Sequence, residues 1–300
     1  MTGRVLGLFG PTAAGKSAVA GVLRNRLGAE VVSADSAALY QCLPVLTAAP
    51  PYPARLVGTV PLDRNVSVGE YQHWAHAAVD DILEAGGRPL VAGGTGLYFR
   101  AALSSLAIPP PPTDEERARW QDVYDRVGPE GAHALLAGRD PAAAARVHAN
   151  DRKRIVRALE LAEAGGSLAP AENTLWTAAA RHPTLVFVLD LPLEELDRRI
   201  ERRTRAMAAS GAAEEARRAW ARPLSETARK VLGLEQFATL PRAEAVAEVE
   251  QATKRLARYQ RKWLRSLRGV VTLDGNRPAE EIADELVALG RTRECLSRHL

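Results

Sequence analysis

Residues 10–17 read Gly-Pro-Thr-Ala-Ala-Gly-Lys-Ser, a full phosphate-binding loop in spelling and in setting. Arg4–Phe9 before it is apolar and strand-like, and Ala18–Leu27 after it has helical character. Strand, glycine-rich loop and helix together make the pattern specific. Gly10, Pro11, Thr12, Ala13, Ala14 and Gly15 let the backbone wrap an anion, and the N–H groups at the helix start bind phosphate oxygens. Lys16 adds a point charge, and Ser17 a hydroxyl suited to Mg2+. The chemistry is therefore the binding of a di- or triphosphate.

Two further segments belong on the same edge. Ser33-Ala34-Asp35-Ser36 follows a strand, Glu30–Ser33, and in open parallel sheets ligands sit beyond the carboxyl ends of strands. Asp35 there can ligand a metal or accept a proton, although Asp and Ser also favour plain turns. Ala92-Gly93-Gly94-Thr95-Gly96-Leu97-Tyr98 is a second glycine-rich junction after Pro89–Ala92, and the Thr95 hydroxyl can meet the far side of a phosphate. No strand ends in an evident second metal aspartate. Asp190 closes the 184–191 strand but runs straight into Leu191-Pro192, so the water-positioning parts of a hydrolytic ATPase are not seen.

Three basic runs carry the remaining signal. Lys153, Arg154 and Arg157 stand on a helix whose Ile155, Val156 and Leu159 turn inward. Lys254, Arg255, Arg258, Arg261, Lys262 and Arg265 line a second helix, with Tyr259 and Trp263 interleaved. Both suit a nucleic-acid backbone or a plain solvated face. The third run, Arg198, Arg199, Arg202, Arg203 and Arg205, follows the 184–191 strand, where one member can fold over an anion.

The elements that must hold these groups alternate at first: strand, helix, strand, a helix from Val68 to about Ala85, strand. This implies a parallel sheet covered on both faces. Pro109–Pro112 interrupt it. From Thr113, with Glu116 as a capping box, to Gly166 the pattern is helical, punctuated at Gly128-Pro129 and Gly138. A strand at Thr184–Leu191 resumes the sheet, with helices at 193–210, 212–220, 225–237 and 243–267, a strand at 269–273 and a helix at 278–289. Residues 45–66 are loop-rich and unplaced. The fold class expected is α/β, a P-loop NTPase-like parallel sheet flanked by helices, with a helical insertion domain. The core spans 1–112 and 183–300, and the insertion 113–182.

The 300 residues carry a net charge of +4, and 46% are hydrophobic. No apolar run approaches the roughly 18 residues that would span a bilayer. Cys42 and Cys295 are far apart and form no metal-spaced cluster. A cytoplasmic, reduced protein with no membrane partner is expected.

The motifs at 10–17, 33–36 and 93–98, Asp140-Pro141 with Arg146–Asp151, and Gln260…Trp263…Arg265 occur in that order. Over about residues 4–275 the chain resembles the bacterial tRNA dimethylallyltransferase (tRNA isopentenyltransferase) family. The resemblance implies transfer of a dimethylallyl group from dimethylallyl diphosphate to N6 of the adenosine just 3′ of the anticodon in tRNA. It implies Asp35 as general base, Thr95 on the bridging oxygen, Lys16 and Arg203 on the leaving pyrophosphate, and Ser17 as Mg2+ ligand. Asp35, Ser36, Ala37, Ala38, Thr95, Lys153, Arg154, Arg157 and the 229–236 region match tRNA-contacting segments. The partners implied are the anticodon stem-loop and dimethylallyl diphosphate, and the chain would act as a monomer. Departures from the family pattern fall at Leu46–Pro50, Ala54–Gly58, Gly233-Leu234 and Arg258–Gln260. The rival readings are an adenylate isopentenyltransferase, a P-loop small-molecule kinase, and an RNA-binding P-loop protein without chemistry.

Overall fold

The computed structural model describes residues 5–169, 179–264, 267 and 269–297. Arg4 and Arg265 lie outside the described residues. The chain divides into two compact units, Met1–Ser105 with Ala179–Leu300, and Leu106–Ala178.

The first unit is built on a six-stranded sheet: β1 (Val5–Phe9), β2 (Ala29–Ser33), β3 (Ala54–Arg55), β4 (Arg88–Gly93), β5 (Thr184–Asp190) and β6 (Val271–Asp274). The strand order is β3-β2-β4-β1-β5-β6, and every pairing is parallel. The central strands are apolar along their length because both faces are covered. Leu6 and Leu8 of β1 point into a layer with Val19, Ala20 and Leu23 of α1 (Lys16–Leu27) and Ile282, Ala283 and Leu286 of α12 (Ala279–Ser297). Phe9 points the other way, its ring 5.0 Å from Phe99 of α3 (Gly96–Leu103). Each such side chain fully buried contributes about 1.5–3 kcal/mol. On the α3 side lies α2 (Val68–Glu84), opened by a reciprocal capping box between Ser67 and Glu70.

After β5 come α7 (Leu193–Ala209), α8 (Ala212–Trp220), α9 (Glu226–Arg229), α10 (Leu234–Thr239) and α11 (Arg242–Leu264). The single helix expected over 225–237 is two short ones. Gly233 takes φ 92°, a left-handed conformation that no helix interior accommodates. The unplaced 45–66 region holds β3, an edge strand of two residues too short for any periodic signal.

The second unit is helical: α4 (Asp114–Arg139), α5 (Pro141–Ala144) and α6 (Arg152–Glu163). The Thr113–Glu116 capping box is present, and α4 breaks at Gly128 (φ 73°) before Pro129. Trp120, Tyr124, Leu136, Ile155, Val156 and Leu159 form its separate core. The unit runs over 106–178 rather than 113–182. Residues 180–182 belong to the sheet unit because Arg181 donates its N–H to Leu103, and Arg181 and His182 both reach the Asp80 carboxylate of α2. Among the described residues no helix is long and apolar enough to cross a membrane.

Candidate active site

Strands β1, β2 and β4 end side by side, so the loops after them share one edge. Gly93 is required there, since a Cβ would stand 2.2 Å from the Ala34 carbonyl oxygen. At Gly10 a Cβ would come within 2.6 Å of the Leu189 oxygen. The phosphate loop then turns through left-handed Ala13 (φ 64°) and Gly15 (φ 94°). Such alternation aims successive N–H groups inward and forms an anion-binding concavity. Helix α1 starts at Lys16 with no side-chain cap and no acidic residue in its first turn, which leaves its dipole facing the loop.

Lys16 Nζ donates to the Pro11 carbonyl at 2.7 Å. Burial pulls its pKa down to about 8, opposed by the Asp35 carboxylate and assisted by Arg203. Arg203, on α7, donates to the Thr12 hydroxyl at 2.8 Å. Burial also lowers its pKa, again opposed by Asp35. Of the arginine run, Arg203 is the member held on the loop. Arg199 and Arg202 also line the cavity, Arg199 with its guanidinium on Glu195, Asn276 and the Gly275 carbonyl, while Arg198 and Arg205 pair with glutamates.

Asp35 accepts the Ala37 N–H at 3.0 Å, which fixes its carboxylate in the turn after β2. Thr95 is the N-cap residue of α3, and its hydroxyl accepts the Ser36 N–H at 3.4 Å. Lys16, Ser17, Asp35 and Arg203 line a cavity of about 690 Å3, while Thr95 stands behind its Gly93-Gly94 edge, bonded to the turn that carries Asp35. Part of the lining is apolar, with Ala48, Ala49, Pro50, Pro51 and Val57. The cavity thus presents an anion cradle, a carboxylate and a hydrocarbon surface together.

Ser17 is exposed at this cavity and offers a hard oxygen. Among the described residues no three His, Cys, Asp or Glu side chains gather to hold a metal ion. The donor set therefore fits a cation carried mainly by phosphate oxygens and water, with one hydroxyl from the protein.

Sequence reasoning missed Gln260 as a part of this site. It is buried on α11, and its side-chain oxygen accepts the Thr12 N–H at 2.7 Å. Its side-chain nitrogen lies 2.7 Å from where a Cβ on Gly94 would be. The signal was present: Ala245, Val249, Thr253, Ala257 and Gln260 form the buried stripe of α11, and a glutamine ends an otherwise apolar or small-residue face.

The second basic run differs from its expected role. Lys254 pairs with Glu201, Arg258 with Asp197 and Arg261 with Asp190, so these cations stitch α11 to α7 and to the end of β5. On α6 of the second unit, Lys153 and Arg154 are exposed. Arg154 pairs with Asp151 at 3.4 Å, whereas Arg157 is more enclosed, bound to buried Glu160 and to the carbonyls of Pro109 and Pro110.

Residues 38–267 match the family model described as IPP transferase. A tRNA dimethylallyltransferase of Acidothermus cellulolyticus is 41% identical over 301 residues, covering 93% of this chain and 92% of that protein. One of Anaeromyxobacter dehalogenans is 41% identical over 284 residues, covering 89% and 94%. Among solved structures, a tRNA isopentenylpyrophosphate transferase of Bacillus halodurans matches with a TM-score of 0.68 at 24% identity over 99% of each chain. A eukaryotic dimethylallyltransferase acting on tRNA matches with a TM-score of 0.80 at 20% identity, over 99% of this chain and 80% of that one. The two structures carry the fold, and the curated relatives carry the lineage. The chain belongs to the IPP transferase family.

Proposed function

We propose that the protein is a tRNA dimethylallyltransferase. It moves a dimethylallyl group from dimethylallyl diphosphate to N6 of the adenosine just 3′ of the anticodon and releases pyrophosphate. The observation that carries this reading is the cavity that Lys16, Arg203 and Asp35 line together with the phosphate loop, each cation within electrostatic reach of the carboxylate. The relatives named for this activity support the same substrate pair.

The reaction forms one N–C bond and breaks one C–O bond. N6 of the adenine attacks the allylic carbon, the C–O electron pair leaves with the bridging oxygen, and the N6 proton passes to Asp35. An aromatic amine is a weak nucleophile, so a fixed carboxylate within reach assists it. Charge grows on the departing diphosphate, where the loop N–H groups, Lys16 and Arg203 are already aimed. Arg203 also holds the Thr12 hydroxyl, so the cation and the loop move as one piece. Thr95, within the second glycine-rich loop, accepts the Ser36 N–H and in this reading would meet the bridging oxygen. Ser17 would hold Mg2+, which when bound neutralises charge on the diphosphate oxygens.

The base must leave its stack to reach the cavity, and unpaired loops are where RNA permits this. Lys153 and Arg154 supply charge for the RNA backbone, as does the 229–236 region, where Arg229 lies over the Trp220 ring at 5.3 Å. In this reading the enzyme acts as a monomer in the cytoplasm, where its tRNA substrate is found.

The test offers labelled dimethylallyl diphosphate, ATP and Mg2+ with either an anticodon stem-loop or AMP. Label in the RNA alone is expected. Label in AMP would move the chain to free-nucleotide transfer, and ATP consumption with no label would make it a kinase.

A further inference from the structure

Glu215 lies in the first turn of α8 and is only 4% exposed. Carboxylates are almost never so deeply buried without partners. Its partners are two adjacent backbone N–H groups, Val45 at 2.9 Å and Leu46 at 2.8 Å, one to each oxygen. These are the opening donors of a tight turn. Thr47 N–H returns to Leu43, Ala48 N–H to Val45 and Ala49 N–H to Pro44, while those of Val45 and Leu46 have no partner within the turn. A carboxylate suits two such donors, as at any helical N-terminus. Here it comes from about 170 residues away, and the buried Leu46 side chain packs against Gly233 beside it.

The turn leads straight into the active-site cavity. Thr47, Ala48, Ala49, Pro50, Pro51 and Tyr52 all line it. Ala48 is left-handed (φ 48°), which turns the chain toward the cavity, and the Tyr52 hydroxyl donates to the Ser17 carbonyl at 2.8 Å. The wall is thus pinned at both ends, by Glu215 at the start and by the phosphate loop's own helix at the finish. On the proposed transferase reading, a diphosphate ester held on that loop would lay its carbon chain against this surface of methyl and methylene groups.

We infer that Glu215 is a positioning residue that fixes the 44–50 turn as a wall of the cavity, and so limits the length of allylic chain the enzyme accepts. This rests on the proposed transferase reading. Glu215 touches no substrate atom; it acts through the turn. Glu215→Gln keeps one acceptor but turns an N–H2 group toward the second backbone N–H, which releases the turn.

The experiment compares dimethylallyl diphosphate with its longer homologue, geranyl diphosphate, as donors to anticodon stem-loop RNA. In Glu215→Gln the preference for the shorter donor, as a ratio of kcat/KM values, is expected to fall at least about tenfold, mostly through a higher KM for dimethylallyl diphosphate. Inhibition by inorganic pyrophosphate, which reads the phosphate loop alone, is expected to stay within about twofold. An unchanged preference overturns the inference, and so does an equal loss of pyrophosphate binding, which would show a merely structural role. Ala49→Leu fills the same wall without touching Glu215, and decides the matter should Glu215→Gln fail to fold. It is expected to raise the KM for dimethylallyl diphosphate with pyrophosphate inhibition intact, and no change in KM overturns the inference. A wild-type enzyme that uses neither donor refutes the transferase reading itself, and this is seen before any variant is compared.

Discussion

The backbone N–H of Thr12 donates to the Gln260 side chain across 248 positions of sequence, at 2.7 Å. Thr12 is therefore held twice, at its amide by α11 and at its hydroxyl by Arg203 of α7. The shape of the phosphate loop depends on helices that the loop sequence does not contain. Gln260→Leu removes the acceptor and leaves that half-buried donor facing hydrocarbon. Stability is expected to drop by about 1–3 kcal/mol, read by urea denaturation. Pyrophosphate inhibition should weaken in parallel, and unaltered inhibition would mean that the loop holds its shape without Gln260.

Asp35→Asn retains an oxygen for the Ala37 N–H and so keeps the turn after β2. It cannot take a proton from the amine. Turnover is expected to fall by about 10²–10⁴-fold, with pyrophosphate inhibition little changed. Single-turnover transfer to the stem-loop measures this, and near-normal rates would remove Asp35 from the role of base.

Lys16 gives a pH dependence whose sign follows from its pKa of about 8, below the ordinary 10.5. The free enzyme loses this charge as pH rises through about 8, so pyrophosphate affinity should decline above that value. Stability moves the opposite way. The unfolded chain binds more protons than the folded one between about 8 and 10.5, so the contribution of Lys16 to stability rises with pH across that window. Inhibition constants and melts at pH 7 and pH 9.5 test both signs, and Lys16→Met should flatten both.

On α6 the two exposed cations and Arg157 should separate by experiment. Reversing Lys153 and Arg154 to Glu is expected to weaken tRNA binding and reduce the log–log salt slope by about one per lost phosphate contact, without lowering the melting temperature. Arg157→Glu places a carboxylate beside Glu160 and frees two proline carbonyls, so it should destabilise the second unit. Filter binding at several salt concentrations, paired with thermal melts, distinguishes the two effects.

Gly93→Ala tests the closeness of the glycine-rich junction to the turn that carries Asp35. Its Cβ would press on the Ala34 backbone, which cannot swing aside as a side chain would. A loss of about 3 kcal/mol is expected, the upper end of overpacking costs, together with loss of turnover. A fully stable variant would show that the junction has room to move.

The parts of this protein legible in its sequence are those whose chemistry is local. The phosphate loop is spelled by eight consecutive residues, because nearby glycines and a helix start suffice to shape an anion cradle. Asp35 and Thr95 could be placed on its edge because parallel strands all end at one side. The helical second unit announced itself through Thr113, Glu116 and Gly128, each a local backbone signal. What tertiary structure alone decided are the partnerships between segments remote in sequence. The family resemblance singled out Arg203 among five arginines, but its bond to the Thr12 hydroxyl depends on how α7 rotates against the sheet, which the composition of the run does not encode. Lys254, Arg258 and Arg261 suit an RNA backbone or a solvated face equally well in sequence, and only packing sets Glu201, Asp197 and Asp190 against them. Gln260 and Glu215 sit far along the chain from the loops they hold. A hydrogen bond spans about 3 Å in space and carries no trace in sequence separation, so only the packed helices could assign those two side chains to the site.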